Sequence, residues 1–204
     1  MDTGLTQAPE FVITKVLDHN DDWLTFHKEL SSTESLVING TRDKLSNAAY
    51  AHTFNSNGTI SGLVVPNWWI ANKSYVFYSW HSVPGLQKFG KYEGNTTEGA
   101  FVELGFRPAI LWIKAIDQTW YWNVHDNQRG PINPIQGNFL RLDSNAQENA
   151  GSGNNNIDFL SNGFKIRSTT AQSEPTNVNG QTYVYCAWAE APAFNLYGGQ
   201  SNAR

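Results

Sequence analysis

Along this chain, apolar and polar residues alternate over short runs and then break at Asn, Gly, Asp or Ser. "AFVEL", "AILWIKAI", "WYWNVHD", "FLRLD", "IDFLS", "FKIRS" and "TYVYCAWAE" follow one another in the second half, and each reads as a strand. A period of two puts successive side chains on opposite faces of a sheet, which is what such runs require. No stretch of a dozen residues holds a period of 3.6, so the pattern predicts little or no helix. Asn162-Gly163, between "IDFLS" and "FKIRS", predicts a hairpin with a type I′ turn, whose two central residues both need positive φ.

The first half says nearly the same thing. "PEFVITK" (9–15) matches "PAILWIK" (108–114), "WLTFH" (23–27) matches "YWNVH" (121–125), and "FNSNG" (54–58) matches "FLSNG" (159–163). The fourth pair is "YVFYSWHSVPGL" (75–86) and "YVYCAWAEAPAF" (183–194). Four blocks in the same order, at nearly constant spacing, read as an internal repeat. The expectation is therefore an all-β chain of two similar β-sandwich-like repeats packed closely together, residues 1–95 and 96–204. Extra residues in the second repeat fall in "NAGSGNNN" and "AQSEPTNVNGQ", as loop insertions would.

Composition agrees with this and narrows the chemistry. Charged residues make up 16% and aromatic ones 13%, which suits pleated surfaces and Asn/Gly turns. The net charge of −4 has no basic block, so nucleic acid is not an expected partner. No run approaches the roughly 20 apolar residues of a membrane span, and "MDTGLTQAPE" has no secretory-signal pattern. The N-x-[ST] triplets at Asn39, Asn57, Asn72 and Asn95 have no secretory context around them.

Candidate chemistry is sparse. His27 and His125 fall at matched positions, which predicts a shared structural hydrogen bond rather than two active sites. His81 is matched by Ala189, and no Cys/His spacing suits zinc. A retaining glycosidase needs two carboxyl groups about 5 Å apart, yet Asp158 and Glu190 each lack an acidic neighbour. "LDHNDD" (17–22) offers oxygen ligands without the later Gly and Glu of a calcium loop, and reads as a hairpin turn. Cys186, the single cysteine, sits where the other repeat has Tyr78, and reads as a buried, inert thiol. No catalytic residue, cofactor or metal site is expected. The aromatic clusters remain. Trp68 and Trp69 in "NWW", and Trp120, Tyr121 and Trp122 in "TWYWN", are candidates for stacking on a glycan or for an interface.

The blocks "GLTQAPEFVITK", "SWHSVPGLQKFGKYEGN", "GFRPAILWIK", "FLSNGFKIRS", "TYVYCAWAEAP" and "NLYGGQSNAR" resemble a repeated domain of uncharacterised function. That domain is found in structural proteins of marine tailed phages, often several times in one long tail or tail-fibre protein. The resemblance implies a virion location, other virion proteins as partners and a homo-oligomer, with a trimer preferred. It implies no activity and no functional residues. It also implies a role in host attachment through a surface glycan or protein, with a capsid-decorating (cement) protein and a glycan-binding or glycan-cleaving tailspike domain as alternatives. Longer relatives carry a strand and turn before the "GLTQAP" block, so Met1 is expected to open a C-terminal fragment.

Overall fold

The computed structural model describes residues 2–47, 52–61, 73–97, 99–135, 138–148, 156–168 and 176–192. The chain is all-β; none of the described residues is helical, and fifteen strands pair antiparallel throughout. They are β1 Phe11–Val16, β2 Leu24–His27, β3 Glu34–Val37, β4 Leu45–Ser46, β5 Thr53–Phe54, β6 Ile60–Ser61, β7 Tyr75–Trp80 and β8 Gln87–Glu93. The rest are β9 Phe101–Glu103, β10 Pro108–Ala115, β11 Asn123–Asp126, β12 Phe139–Arg141, β13 Ile157–Leu160, β14 Gly163–Ile166 and β15 Thr182–Ala189.

Two five-stranded sheets, in the orders β4-β3-β2-β1-β7 and β12-β11-β10-β15-β8, form the centre of the fold. Between them lie Phe11, Ile13, Leu36, Phe89, Trp122, Val184 and Cys186, with the rings of Trp80, Trp112 and Trp188 at the margin. The outer face of the first sheet packs Val12, Leu24, Phe26 and Val37 against Ile60 of the β5-β6 hairpin. The outer face of the second sheet packs Leu111, Ile113, Tyr183 and Tyr185 against Phe159, Phe164 and Ile166 of a β13-β14-β9 sheet. Both faces of both central sheets are thus covered, which is why "AILWIKAI" and "TYVYCAWA" are nearly continuous apolar runs.

The sequence blocks occupy corresponding ladder positions. β1 pairs with β7 through Phe11↔Trp80, Ile13↔Tyr78 and Val16↔Tyr75; β10 pairs with β15 through Ile110↔Trp188, Trp112↔Cys186 and Ala115↔Tyr183. Lys15 and Lys114 also do one job twice. Lys15 Nζ donates to the carbonyls of His19 at 3.2 Å and Asp21 at 2.8 Å, and Lys114 Nζ to those of Gln118 at 3.3 Å and Trp120 at 2.5 Å. Each ammonium closes the turn that follows its strand. In "LDHNDD" this sets a fixed cation against the carbonyls a calcium ion would need. Lys114 goes further and donates to Thr41 O at 3.0 Å, tying the first sheet's β3-β4 connection to the second sheet. Burial brings its pKa down to about 8.

Three expectations change. The strand β8, inside residues 1–95, pairs with β15 over seven positions and so completes the second sheet. Sheet membership therefore passes over between β7 and β8. The two histidines are not equivalent: His27 faces Phe11, whereas His125 faces Leu111 and Asp126 faces Ile110. One residue of slip sends the two rings to opposite faces. His27 reaches the Tyr185 carbonyl at 3.2 Å between the sheets, while neither ring nitrogen of His125 has a partner among the described residues. The hairpin at 160–163 is present, but its central residues are Ser161 and Asn162, neither with positive φ. Gly163 is needed instead for close approach: a Cβ there would lie 2.1 Å from Val102 O on β9. Gly58, its counterpart, has φ +79° and would set a Cβ 1.8 Å from Leu5 O.

Candidate functional site

The residues singled out in sequence do not form one site. Trp68 and Trp69 lie outside the described residues. Trp120 is half-buried and stacks on Tyr183, ring centroids 6.5 Å apart. Tyr121 lies under the Arg141 guanidinium, 4.2 Å from its ring centre. Trp122 is fully buried between the central sheets, and its indole N–H donates to Val37 O at 2.9 Å. Trp120 and Trp122 pack on opposite faces of the second sheet although they are two residues apart, because both precede β11 and lie outside the regular strand alternation, and Trp122 has no ring face to offer a ligand.

A groove with a cavity volume of about 330 Å³ opens elsewhere, at the mouth of the cleft between the central sheets. It is lined by Ile13, Trp23, Ile38, Asn39, Tyr78, Trp80 and Leu142. Tyr78 and Trp80, two apart on β7, share a face; their rings lie 6.3 Å apart and 21° from parallel. Trp80 is anchored from behind by Phe11 at 5.4 Å and by an edge contact with Trp188 at 6.5 Å. Tyr78 is 48% exposed. Neither the Tyr78 hydroxyl nor the indole N–H of Trp23 or Trp80 has a hydrogen-bond partner among the described residues.

Asn39 supplies the polar edge. Its Oδ1 accepts the Trp23 backbone N–H at 2.9 Å and its Nδ2 donates to Asp22 at 3.1 Å, so the amide is held at both ends. The second sheet repeats the arrangement: Asp143 accepts the Trp122 backbone N–H at 3.3 Å, and Leu142 N bonds Trp122 O as Ile38 N bonds Trp23 O. Asn39 thus corresponds to Asp143, Trp23 to Trp122 and Ile38 to Leu142. Burial raises the Asp143 carboxyl above its ordinary value, although its bond from Trp122 N–H and the charge of Lys114 pull the other way. The groove lies where these paired features meet and fail to match, because Trp122 is capped by Val37 O while Trp23 has no such cap.

Other reactive groups are engaged in structure. Asp158 pairs with Arg167 at 3.4 Å. Asp126 is held below the ordinary carboxylate range: burial opposes this, but the backbone N–H groups of Arg129 and Gln128 and the Arg129 guanidinium outweigh it. Glu10 is similar, its burial offset by the Ser82 hydroxyl and Lys28. The Cys186 thiol is buried and pushed well up. Among the described residues no group of three His, Cys, Asp or Glu is placed to hold a metal ion.

The groove was hard to find from sequence because Asn39 and Asp143 differ in kind and the "WLTFH"/"YWNVH" match is set one residue out of register. The available signal was the difference between Tyr78 and Cys186 at one ladder position.

Residues 1–192 match a family model described as a domain of unknown function, DUF7483, and the chain belongs to that family. No curated protein and no solved structure matches the chain.

Proposed function

We propose that the chain is a non-enzymatic structural module of a tailed-phage virion, part of a tail fibre or related appendage, that attaches to the host through the groove at Tyr78 and Trp80. The observation that carries the attachment reading is the pair of stacked rings beside a fixed amide, in an open groove with unused polar tips. The viral setting is supported by the resemblance of the "KFGKYEGN" and "GFRPAILWIK" blocks to repeated phage structural domains. The mechanism is geometric. A rigid, doubly covered pair of sheets holds the groove in one shape, so little ordering entropy is lost on contact. A homo-oligomer, with a trimer preferred, presents several grooves at once and raises weak single contacts by multivalency.

The test is binding of the purified chain to host cells and to isolated capsids. Saturable binding to cells that falls at least about tenfold in Tyr78→Ala, with Trp120→Ala unchanged, supports attachment, since loss of about 1.4 kcal/mol is a factor of ten. Saturable binding to capsids alone supports a decorating role instead, and release of reducing ends from host polysaccharide overturns the non-enzymatic reading.

A further inference from the structure

We infer that the groove is a binding site for an uncharged sugar ring, stacked on Tyr78 and Trp80 and read at its edge by Asn39. The inference rests on the attachment reading and names its ligand class. Three observations carry it.

The first is the broken correspondence between the sheets. Trp122 Nε1–H is closed by the main-chain oxygen of Val37, in a fully buried contact. The counterpart indole of Trp23 makes no such bond among the described residues, and the space beside it is lined by Ile38 and by Leu142, its equivalent from the other sheet. What the buried copy shows is the chemistry this indole takes: a neutral oxygen acceptor seated against an apolar wall. A sugar hydroxyl or ring oxygen meets that description.

The second is charge. None of the seven lining residues is Asp, Glu, Lys, Arg or His, and the Asp22 carboxylate stands at the groove's polar edge, 3.1 Å from Asn39 Nδ2. In a chain of net charge −4, an anionic sugar would meet a carboxylate and no lining cation. The groove therefore selects uncharged rings over uronates and other acidic sugars.

The third is the state of Asn39. With Oδ1 taken by Trp23 N–H and one Nδ2 hydrogen by Asp22, the amide keeps one N–H and one lone pair in fixed positions. A donor and an acceptor side by side suit two neighbouring hydroxyls of a ring. The volume of about 330 Å³ lies at the small end of ligand sites, which fits one or two rings rather than a docked helix or strand pair.

The experiment titrates the full chain, followed by tryptophan fluorescence, with neutral glucose-, galactose-, mannose- and N-acetylglucosamine-based oligosaccharides and with oligogalacturonate of matched length. The variants are Asn39→Asp and Tyr78→Ala. Asn39→Asp keeps the oxygen that caps Trp23 N–H, as Asp143 does for Trp122, and exchanges the donor for a charged oxygen beside Asp22; Tyr78→Ala alters a half-exposed ring. At least one neutral oligosaccharide is expected to saturate the wild type, to bind at least about tenfold more tightly than oligogalacturonate, and to weaken at least about tenfold in both variants with thermal midpoints retained. Binding that prefers the acidic oligomer, binding indifferent to both variants, or no binding of any neutral oligosaccharide overturns the inference. So does concentration-dependent self-association abolished by Tyr78→Ala, which would make the groove an interface between copies. Host-cell adherence without neutral-sugar binding removes the ligand class and leaves attachment standing; absence of both removes both.

Discussion

Two buried histidines give this fold a specific response to acid. His27 lies between the central sheets, with Nε2 at 3.2 Å from Tyr185 O and Nδ1 accepting the Glu29 N–H, so the neutral ring is fully used and a second proton has no acceptor. His125 is completely buried beside Phe139, and neither ring nitrogen has a hydrogen-bond partner among the described residues. Burial pushes His27 down to about 4 and His125 down to about 3, only partly resisted by the Tyr185 carbonyl in the first case and Asp126 in the second. Both values lie below the unfolded value of about 6.5, so the unfolded chain binds these protons more readily. Stability is then lost as pH falls through about 6.5, and the loss is complete only below the folded values. At about pH 5 the linkage relation gives a loss of about 2 kcal/mol for each histidine, growing toward roughly 3 for His27 and 5 for His125 in stronger acid. A total of about 4 kcal/mol at about pH 5 is a large share of the roughly 5–15 kcal/mol typical of a folded domain. The assay is guanidinium unfolding followed by tryptophan fluorescence, at constant ionic strength, from about pH 7 to about pH 5. Glu10, Glu34 and Asp126 are held below their ordinary values, so their contribution is lost mainly at lower pH. His125→Phe keeps the ring volume and removes one titrating group. Its stability is expected to fall about 2 kcal/mol less than that of the wild type across this window. Parallel curves for the two proteins would refute the assignment of the acid response to a His125 locked neutral.

Gly163→Ala places a methyl 2.1 Å from Val102 O, and is expected to cost about 1–3 kcal/mol by forcing β9 off β14, read as a lower unfolding midpoint. Lys114→Met strips the donor from three carbonyls, including the link to Thr41, and is expected to cost about 3 kcal/mol; Lys15→Met, at the more open counterpart, costs less. Equal losses in the two lysine variants would remove the special role given to the Thr41 bond. The Cys186 thiol is expected to resist a disulfide reagent in the native chain and react at once in denaturant; rapid native labelling would contradict its burial between the sheets.

Alternation and turn chemistry were enough to read the all-β class, because a period of two puts Phe11 with Ile13 on one face, and Leu111 with Ile113 on another, where each pair is buried. The matched blocks fall at corresponding ladder positions, Trp80 opposite Phe11 on β1 and Trp188 opposite Ile110 on β10. Register was less legible. Two identical residues, His27 and His125, drew the alignment one step out, and one step reverses every side chain on a strand. The role of β8 was invisible for a different reason: "KFGKYEG" has the alternation of a strand, but nothing local says which of two similar sheets it joins. Gly163 reads in sequence as a turn residue because its neighbour is an asparagine, whereas its constraint comes from β9 passing close to it; Gly58 carries both constraints, a φ of +79° and the Leu5 carbonyl beside it.

The groove is a consequence of near-symmetry rather than of any motif. When two similar sheets meet through equivalent faces, each large side chain on one has a counterpart on the other, and both cannot occupy the same volume. Here Trp122 takes the buried place and Val37 O satisfies its indole, so Trp23 is left at the rim. The neighbouring substitutions follow the same division. Where the second sheet has Cys186, small and fully buried, the first has Tyr78, large and 48% exposed; where it has Asp143, shielded and near Lys114, the first has the neutral Asn39 on the surface. The first change follows burial on one side and exposure on the other; in the second the shielded carboxylate is kept beside the Lys114 charge, which opposes the cost of its burial. The opening is thus lined both by residues whose counterparts are alike, Trp23 and Trp80, and by residues whose counterparts differ, Asn39 and Tyr78.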